Sequence, residues 1–294
     1  MAGRARDRST ALRRAGIGCL VVGLVGFLVV LVATIGLLVH AFRDRPVPPP
    51  DPYCLASIDD HTVRISPDQA WWTSIIVGTS VKRGLPARAA SIAMATVYQE
   101  TGIRNLDHGD RDSIGLFQQR PSQGWGTVDQ IMDPYYSTGK FYDALVKVDD
   151  WADRDITEIA QQVQRSGHPE AYRKHEPNAR ALASTFTGWT PAGVRCVHEE
   201  VAGDAEALDA FLVRTLGIPA GAREGDALTY QLPSGHHAWS TAHLAVATGG
   251  QFGTVEVRVA DRRWQHDRAG LAEWTAADEP VQQHRVVVRV AAGS

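Results

Sequence analysis

The stretch E-T-G-I-R-N-L-D-H-G-D-R-D-S-I-G-L-F-Q, residues 100–118, joins the end of a predicted helix to a polar loop and then to an apolar return. Apolar side chains recur before it at intervals of three and four, which predicts a helix over 86–101 with one core-facing stripe. The stripe consists of Ala89, Ile92, Ala93, Thr96 and Val97. Gly102 is typical of a helix end. Glu100 continues the stripe, so the one strong acid of this helix is predicted to face inward.

The predicted position of Glu100 suits a general acid. A carboxyl in the last turn of a helix meets the negative end of the helix dipole, and burial disfavours its charge further, so both effects raise its pKa. Cleavage of a glycosidic bond needs an acid that is protonated near neutral pH, because the departing sugar oxygen must receive a proton. The helix pattern alone also allows, and by itself favours, a structural glutamate that is satisfied by loop amides.

The sequence on both sides of this stretch predicts two architectures. Capping and proline signals predict helices over 66–82, 128–132, 134–148 and 155–166, with a helical region over 168–187. A hairpin is predicted near 54–65, and the tail has helices near 205–216 and 238–248 with strands near 227–232, 254–259 and 285–290. We therefore expect a mainly α domain over 54–196, followed by a small α/β domain over 200–294.

The N-terminal residues predict a membrane anchor. Five arginines crowd residues 1–14, and an uncharged run follows over 15–39. As a helix this run of about 25 residues would be roughly 37 Å long, which is enough to cross a bilayer. The positive-inside tendency then places residues 1–14 in the cytoplasm and the rest outside, as a single-pass protein in contact with lipid through 15–39. A proline-rich spacer over 40–53 follows, and a cleaved signal peptide is the alternative.

The cysteines and the net charge further limit the kinds of protein that this chain could be. Cys54 and Cys196 lie in the part predicted to be exported, where an isolated pair tends to be oxidised, so we expect a disulfide between them. The formal net charge of the 294 residues is only -3, with no basic stripe. Nucleic acid is therefore not an expected partner.

A family resemblance begins at the same stretch. Glu100-Thr101 and, a loop later, G-L-F-Q over 115–118 resemble the Glu-Ser and Gly-Leu-Met-Gln signatures of soluble lytic transglycosylases and goose-type lysozymes. Residues 112–126 and 163–172 are similar to motifs of lysozyme-like modules in actinobacterial wall proteins, D-S-x-G-L-F-Q-Q-R-P-S-Q-G-W-G and V-Q-R-S-x-x-P-x-A-Y. The resemblance covers roughly residues 68–187. It implies a lysozyme-like domain, with peptidoglycan as partner and without a cofactor.

The resemblance also implies roles for single residues. Glu100 would act alone, first as acid and then as base, while the N-acetyl group of the substrate stabilises the sugar cation. Gln118 and Tyr172 would contact the substrate beside it. The Ala-Tyr-Asn signature of the transglycosylases is absent, and Gln164 is the candidate for the missing amide. From the residues themselves, Trp125 is the best candidate for stacking on a sugar ring. Asp110 and Asp112 would either orient a water molecule or cap the loop.

The histidines of the tail suggest a metal site, but their spacing does not favour one. His236, His237 and His243 lack a recognised zinc spacing, so no metal is expected. Residues 225–290 resemble the second half of a zinc D-alanyl-D-alanine carboxypeptidase-like domain. Thr229 and Val287 stand near the positions where that family would have its Asp and His ligands. The resemblance therefore implies a non-catalytic module.

Three functions follow as expectations. The first is a membrane-anchored enzyme that cleaves peptidoglycan glycan strands, as a muramidase or a lytic transglycosylase. The second is a lysozyme-like wall-binding or scaffold protein without turnover. The third is a membrane-anchored metal-binding protein.

Overall fold

A computed structural model describes residues 24, 26–37, 40, 50–164 and 171–292 of the chain. The chain divides into two units, Met1–Pro48 and Pro49–Ser294. The predicted cytoplasmic segment 1–14, most of the spacer over 40–53 and the start of the helical region predicted over 168–187 lie outside the described residues.

The first unit corrects the predicted membrane anchor over 15–39. Its described residues 24, 26–37 and 40 are helical. A crossing needs about 20 consecutive, predominantly apolar helical residues. Among the described residues, no helix has both the length and the apolar character to span a bilayer. The single-pass anchor and the cell-membrane location are therefore wrong as predictions from the apolar run.

Several helices of the second unit, including the first and the fourth, begin where capping signals predict them. Ser66 caps the first helix by accepting from the Gln69 amide, and Asp133 caps the fourth by accepting from the Tyr135 and Tyr136 amides. In chain order the helices are α1 Pro67–Lys82, α2 Ala87–Thr101, α3 Val128–Met132, α4 Pro134–Leu145, α5 Ile156–Gln164, α6 Glu176–Phe186, α7 Ala205–Leu216, α8 Gly235–Ala247 and α9 Gly249–Phe252.

Two antiparallel sheets correct the predicted fold class. The first has the order β2-β1-β3 and the second β4-β5-β9-β6-β7-β8. Their strands are β1 Tyr53–Ile58, β2 His61–Ile65, β3 Val194–Val197, β4 Ala222–Glu224, β5 Ala227–Gln231, β6 Thr254–Val259, β7 Arg262–Gln265, β8 Trp274–Ala276 and β9 Arg285–Val290. The described part is about 47% helical with 18% strand, so the mainly α lysozyme-like class is wrong. The sequence predicted only a two-stranded hairpin in the region of β1 and β2. It missed β3, which is distant in the sequence and pairs with β1.

The predicted disulfide is confirmed. Cys54 in β1 and Cys196 in β3 are directly opposite in the antiparallel register, and their Cα atoms lie 4.1 Å apart. Both side chains are buried. The bond therefore joins two segments that are 142 residues apart in the sequence and closes the chain around α1 to α6.

The six-stranded sheet lies in the tail and packs against α8. Thr229 in β5 is directly opposite Val287 in β9, so these two positions of the tail are neighbours. The Trp274 indole donates to the Val194 carbonyl at 2.7 Å, which links β8 to the first sheet. The predicted boundaries 54–196 and 200–294 fall within the second unit and stay a prediction.

Removing the disulfide is expected to lower stability. Replacing Cys54 and Cys196 together by alanine frees a closed loop of 142 residues, so the free energy of unfolding is expected to fall by about 2–5 kcal/mol. Urea denaturation of the double variant and of the wild type, each with and without reductant, measures the difference. Reductant should destabilise the wild type alone. A double variant as stable as the oxidised wild type would contradict this expectation.

Candidate active site

Glu100 lies in the last turn of α2, which packs against α5 and α6. The helix ends at Gly102, whose φ of 63° is left-handed and whose amide donates to the Tyr98 carbonyl. All five residues of the predicted stripe are fully buried, and the Glu100 side chain at its end is half-buried. The inward position of this acid follows from the helical spacing.

Two polar side chains meet the Glu100 carboxyl. The Tyr172 hydroxyl donates to Oε1 at 2.8 Å, and the Gln164 side-chain amide also hydrogen-bonds to the carboxyl. The same Gln164 amide donates to the Phe117 carbonyl at 2.6 Å. Gln164, at the end of α5, therefore contacts two other segments: the end of α2 and the apolar return of the loop.

Burial decides the protonation of Glu100. Removal of the carboxyl from water raises its pKa above the usual value, while the hydrogen bonds from Tyr172 and Gln164 act in the opposite direction. The net shift is upward. The carboxyl therefore remains protonated at a higher pH than an ordinary glutamate, as a general acid requires.

The Thr101 hydroxyl holds the loop against the end of α2, next to Glu100. The sequence did not reveal this contact. The hydroxyl lies 3.0 Å from the carbonyls of Val97 and Leu116 and accepts the Arg104 amide at 3.2 Å. The side chains of Leu116 and Phe117 are fully buried, and the Phe117 ring stacks on Phe141 of α4 at 4.6 Å. The hydroxyl shared by the Glu-Thr and Glu-Ser pairs is the sequence signal that could have predicted this contact.

A glycine allows the loop to close. Short β-bridges pair Leu106 with Gly115 and Ile114 with Gln119. Gly115 has a φ of 79°, and a Cβ there would lie 2.9 Å from the Ile131 carbonyl oxygen. Any other residue at this position would be strained and crowded, so the G-L-F-Q turn depends on its glycine.

The other loop residues predicted for the site have partners within the loop. The Gln118 amide donates to the His108 carbonyl at 3.2 Å. Asp112 accepts the Ser122 amide at 2.8 Å and the Arg120 Nε at 2.6 Å. These bonds, that of Ser122 first, hold the pKa of Asp112 well below its usual value. The contacts of Asp112 fit the capping alternative.

Asp110 differs from Asp112 in having little contact with the rest of the loop. Its side chain is 93% exposed, and its nearest ion-pair partner is Arg111 at 3.9 Å. Its backbone carbonyl accepts the Ser113 amide at 3.0 Å. A catalytic role for Asp110 stays a prediction, as do the roles of Gln118 and Asp112.

A cleft of about 790 Å³ extends the site away from Glu100. Trp125, Lys140, Asp143, Lys147, Gln162 and Gln164 are among its lining residues, and we call it the Trp125 cleft. Gln164 belongs both to this cleft and to the partners of Glu100. Trp125 is half-buried, so part of its ring is open to a ligand.

The histidines of the tail make structural contacts. The Ser234 hydroxyl lies within hydrogen-bonding distance of the rings of His236 and His237. His243 is fully buried, and its Nδ1 lies 2.7 Å from the Thr185 carbonyl. Burial lowers the pKa of His243 to about 4, so the ring is neutral at physiological pH. Among the described residues, no group of three or more His, Cys, Asp or Glu side chains could hold a metal ion.

No protein-family model matches the chain, and no curated protein is significantly similar to it. The likeness to lysozymes and lytic transglycosylases therefore rests on the motifs themselves, and it stays a prediction. The structure adds the contacts of Glu100 to those motifs, independently of any relative.

The raised pKa of Glu100 predicts how a glutamine changes stability. A proton on this carboxyl favours the folded state fully below the usual glutamate pKa of about 4.5, and that contribution is lost as pH rises through the higher folded pKa. We therefore expect Glu100→Gln, which imitates the protonated group, to be more stable than the wild type at pH 7. The advantage should vanish below about pH 4.

Urea denaturation at both pH values measures this difference. The matched control is Glu158→Gln, because Glu158 lies on the exposed face of α5. A Glu100→Gln protein that is less stable than the wild type at pH 7 would contradict the burial argument.

Proposed function

We propose that this protein cleaves glycosidic bonds in an N-acetylated glycan of the peptidoglycan type, with Glu100 as its acid and base. The observation that carries the proposal is the half-buried Glu100 carboxyl, with a raised pKa and hydrogen bonds from Tyr172 and Gln164. A carboxyl with a raised pKa can give its proton to the departing sugar oxygen at a pH where an ordinary glutamate is ionised. The resemblance of residues 100–118 to lytic transglycosylase signatures, and of residues 112–126 to lysozyme-like modules of wall proteins, supports the same substrate.

The proposed reaction uses one carboxyl twice. Glu100 gives its proton to the glycosidic oxygen as the bond from that oxygen to the anomeric carbon breaks. The carbonyl oxygen of the N-acetyl group on the same sugar stabilises the cation that forms. The Glu100 carboxylate then takes a proton from the attacking hydroxyl, which belongs either to water or to the 6-position of the sugar. Water produces a reducing end, and the 6-hydroxyl produces a 1,6-anhydro end.

The contacts of Glu100 fit a route with a single carboxylate. Its polar partners are a hydroxyl and an amide, whereas glycosidases of the common type pair two carboxyl groups across the bond. Asp112 is held by Arg120 and Ser122. Assistance from the substrate therefore suits this arrangement better than a second acidic residue does.

One observation favours a second candidate, glycan binding without turnover. The Ala-Tyr-Asn signature is absent, and the proposed replacement amide of Gln164 already donates to the Phe117 carbonyl. A substrate would have to compete for that amide. A protein that retains the cleft without the full set of donors would bind the glycan and leave it intact.

Incubation of the full chain with purified peptidoglycan separates the two candidates. The wild type is expected to release soluble muropeptides, which mass spectrometry assigns to anhydro or reducing ends. Glu100→Gln should lower the release by about 10²–10⁴-fold, because it removes the proton donor. Glu158→Gln serves as control and should retain the wild-type rate. An unchanged rate in Glu100→Gln would rule out the assigned acid, and pelleting with peptidoglycan without any release would favour binding.

Tyr172→Phe tests the hydrogen bond to the acid through the pH profile. The Tyr172 hydroxyl lowers the pKa of Glu100, so its removal raises that pKa further. Activity requires protonated Glu100 and falls as pH passes its pKa, so the high-pH limb of kcat/KM should move to higher pH. Tyr142→Phe removes another buried hydroxyl, which donates to the Ile76 carbonyl, and should leave the limb in place. A limb that stays fixed or moves down in Tyr172→Phe would contradict the proposed role.

A further inference from the structure

The charges in the Trp125 cleft are unbalanced. Lys140 and Lys147 line it together with a single carboxylate, Asp143. Asp143 is already paired with Arg83, which also donates to the Gly139 carbonyl. Within the described part of the chain, the two lysines therefore line the cleft without a carboxylate of their own.

Lys140 is the more informative of the two lysines. It lies on α4 and is half-buried, and its Nζ is 5.5 Å from the centroid of the Tyr136 ring. The Tyr136 ring is a weak partner for a cation at this distance. The described residues give Lys140 no carboxylate partner, so its ammonium group remains available to an anionic ligand.

Lys147 extends the positive charge along the same side of the cleft. It follows Lys140 by seven residues, about two helical turns, and it is exposed just beyond the end of α4. Gln162 and Gln164 of α5 contribute amides to the same cleft, and Trp125 adds an aromatic face. An aromatic face with amide groups suits a sugar ring, and the ammonium groups suit a carboxylate attached to that sugar.

We propose that the Trp125 cleft selects sugars that carry a carboxylate over neutral N-acetylated sugars, with Lys140 and Lys147 as the selecting residues. This inference deepens the proposed function, because it names the substrate class of the cleft next to Glu100. A glycan whose sugars bear lactyl or peptide carboxylates fits the cleft, whereas a neutral N-acetylglucosamine polymer leaves both ammonium groups without a partner. Attraction of this kind weakens as salt is added.

Binding to a protein that cannot turn over isolates this selection from catalysis. The experiment uses the full chain carrying Glu100→Gln. Two probes are titrated calorimetrically: the disaccharide of N-acetylglucosamine and N-acetylmuramic acid with a free lactyl carboxylate, and the same disaccharide with that carboxylate converted to a methylamide. The carboxylate form is expected to bind about 10-fold more tightly at low salt, and the ratio should shrink in 0.5 M salt.

The lysine variants assign the preference to residues. Lys140→Gln and Lys147→Gln, each added to Glu100→Gln, should each reduce the ratio of affinities, and together they should bring it close to one. Binding of the methylamide probe should stay unchanged, which shows that the cleft is still folded. Lys82→Gln is the matched control, since Lys82 lies at the end of α1 outside the lining of the cleft, and should preserve the ratio.

The outcomes separate this inference from the proposed function. Equal affinities for the two probes, or a ratio that survives both lysine substitutions, would overturn the selection. A clear ratio in a protein whose wild type releases no muropeptides would overturn the proposed catalysis and leave the selection standing. Failure of both probes to bind, while the wild type releases muropeptides, would place substrate recognition elsewhere and also overturn the inference.

Discussion

Burial of the Glu100 carboxyl is the constraint on which the described site depends. Three separate segments enclose it: the end of α2, the loop that returns at Leu116 and Phe117, and the segment that carries Gln164 and Tyr172. Each segment is fixed by a specific contact with another. A change that opened this enclosure to water would weaken the burial that raises the pKa of the carboxyl.

The three-stranded sheet and its disulfide also support the helices around Glu100. β1 pairs with both β2 and β3, and α6 packs against β1 and β2 while it also packs against α2. The disulfide holds β1 and β3 in register, and separation of β1 from this sheet would uncover α6, which also packs against the acid-bearing helix. Local order at the site therefore depends on a contact made between residues far apart in the sequence.

Apart from the disulfide between Cys54 and Cys196, the sequence predicted local features better than distant ones. The caps at Ser66 and Asp133 lie beside the helices that they begin, so the predicted starts of α1 and α4 were confirmed. β3 is only four residues long and is stabilised by pairing with β1, so its own sequence shows no periodicity that predicts a strand. The predicted fold class was therefore wrong. In the site, spacing placed Glu100 on the inner face of α2. The meeting of Gln164 with Phe117 depends on packing between distant segments, and the sequence alone could not show it.

An acid with a raised pKa and a cationic cleft are in principle opposed, because nearby positive charge favours the ionised carboxylate. In the described part of the chain the pKa of Glu100 is set by burial and by its bonds to Tyr172 and Gln164, and the ammonium groups of Lys140 and Lys147 do not contribute. Gln164 separates the two regions, since its neutral amide reaches the acid and also lines the cleft. A neutral residue at this junction lets positive charge attract an anionic glycan without ionising the acid that is proposed to cleave it.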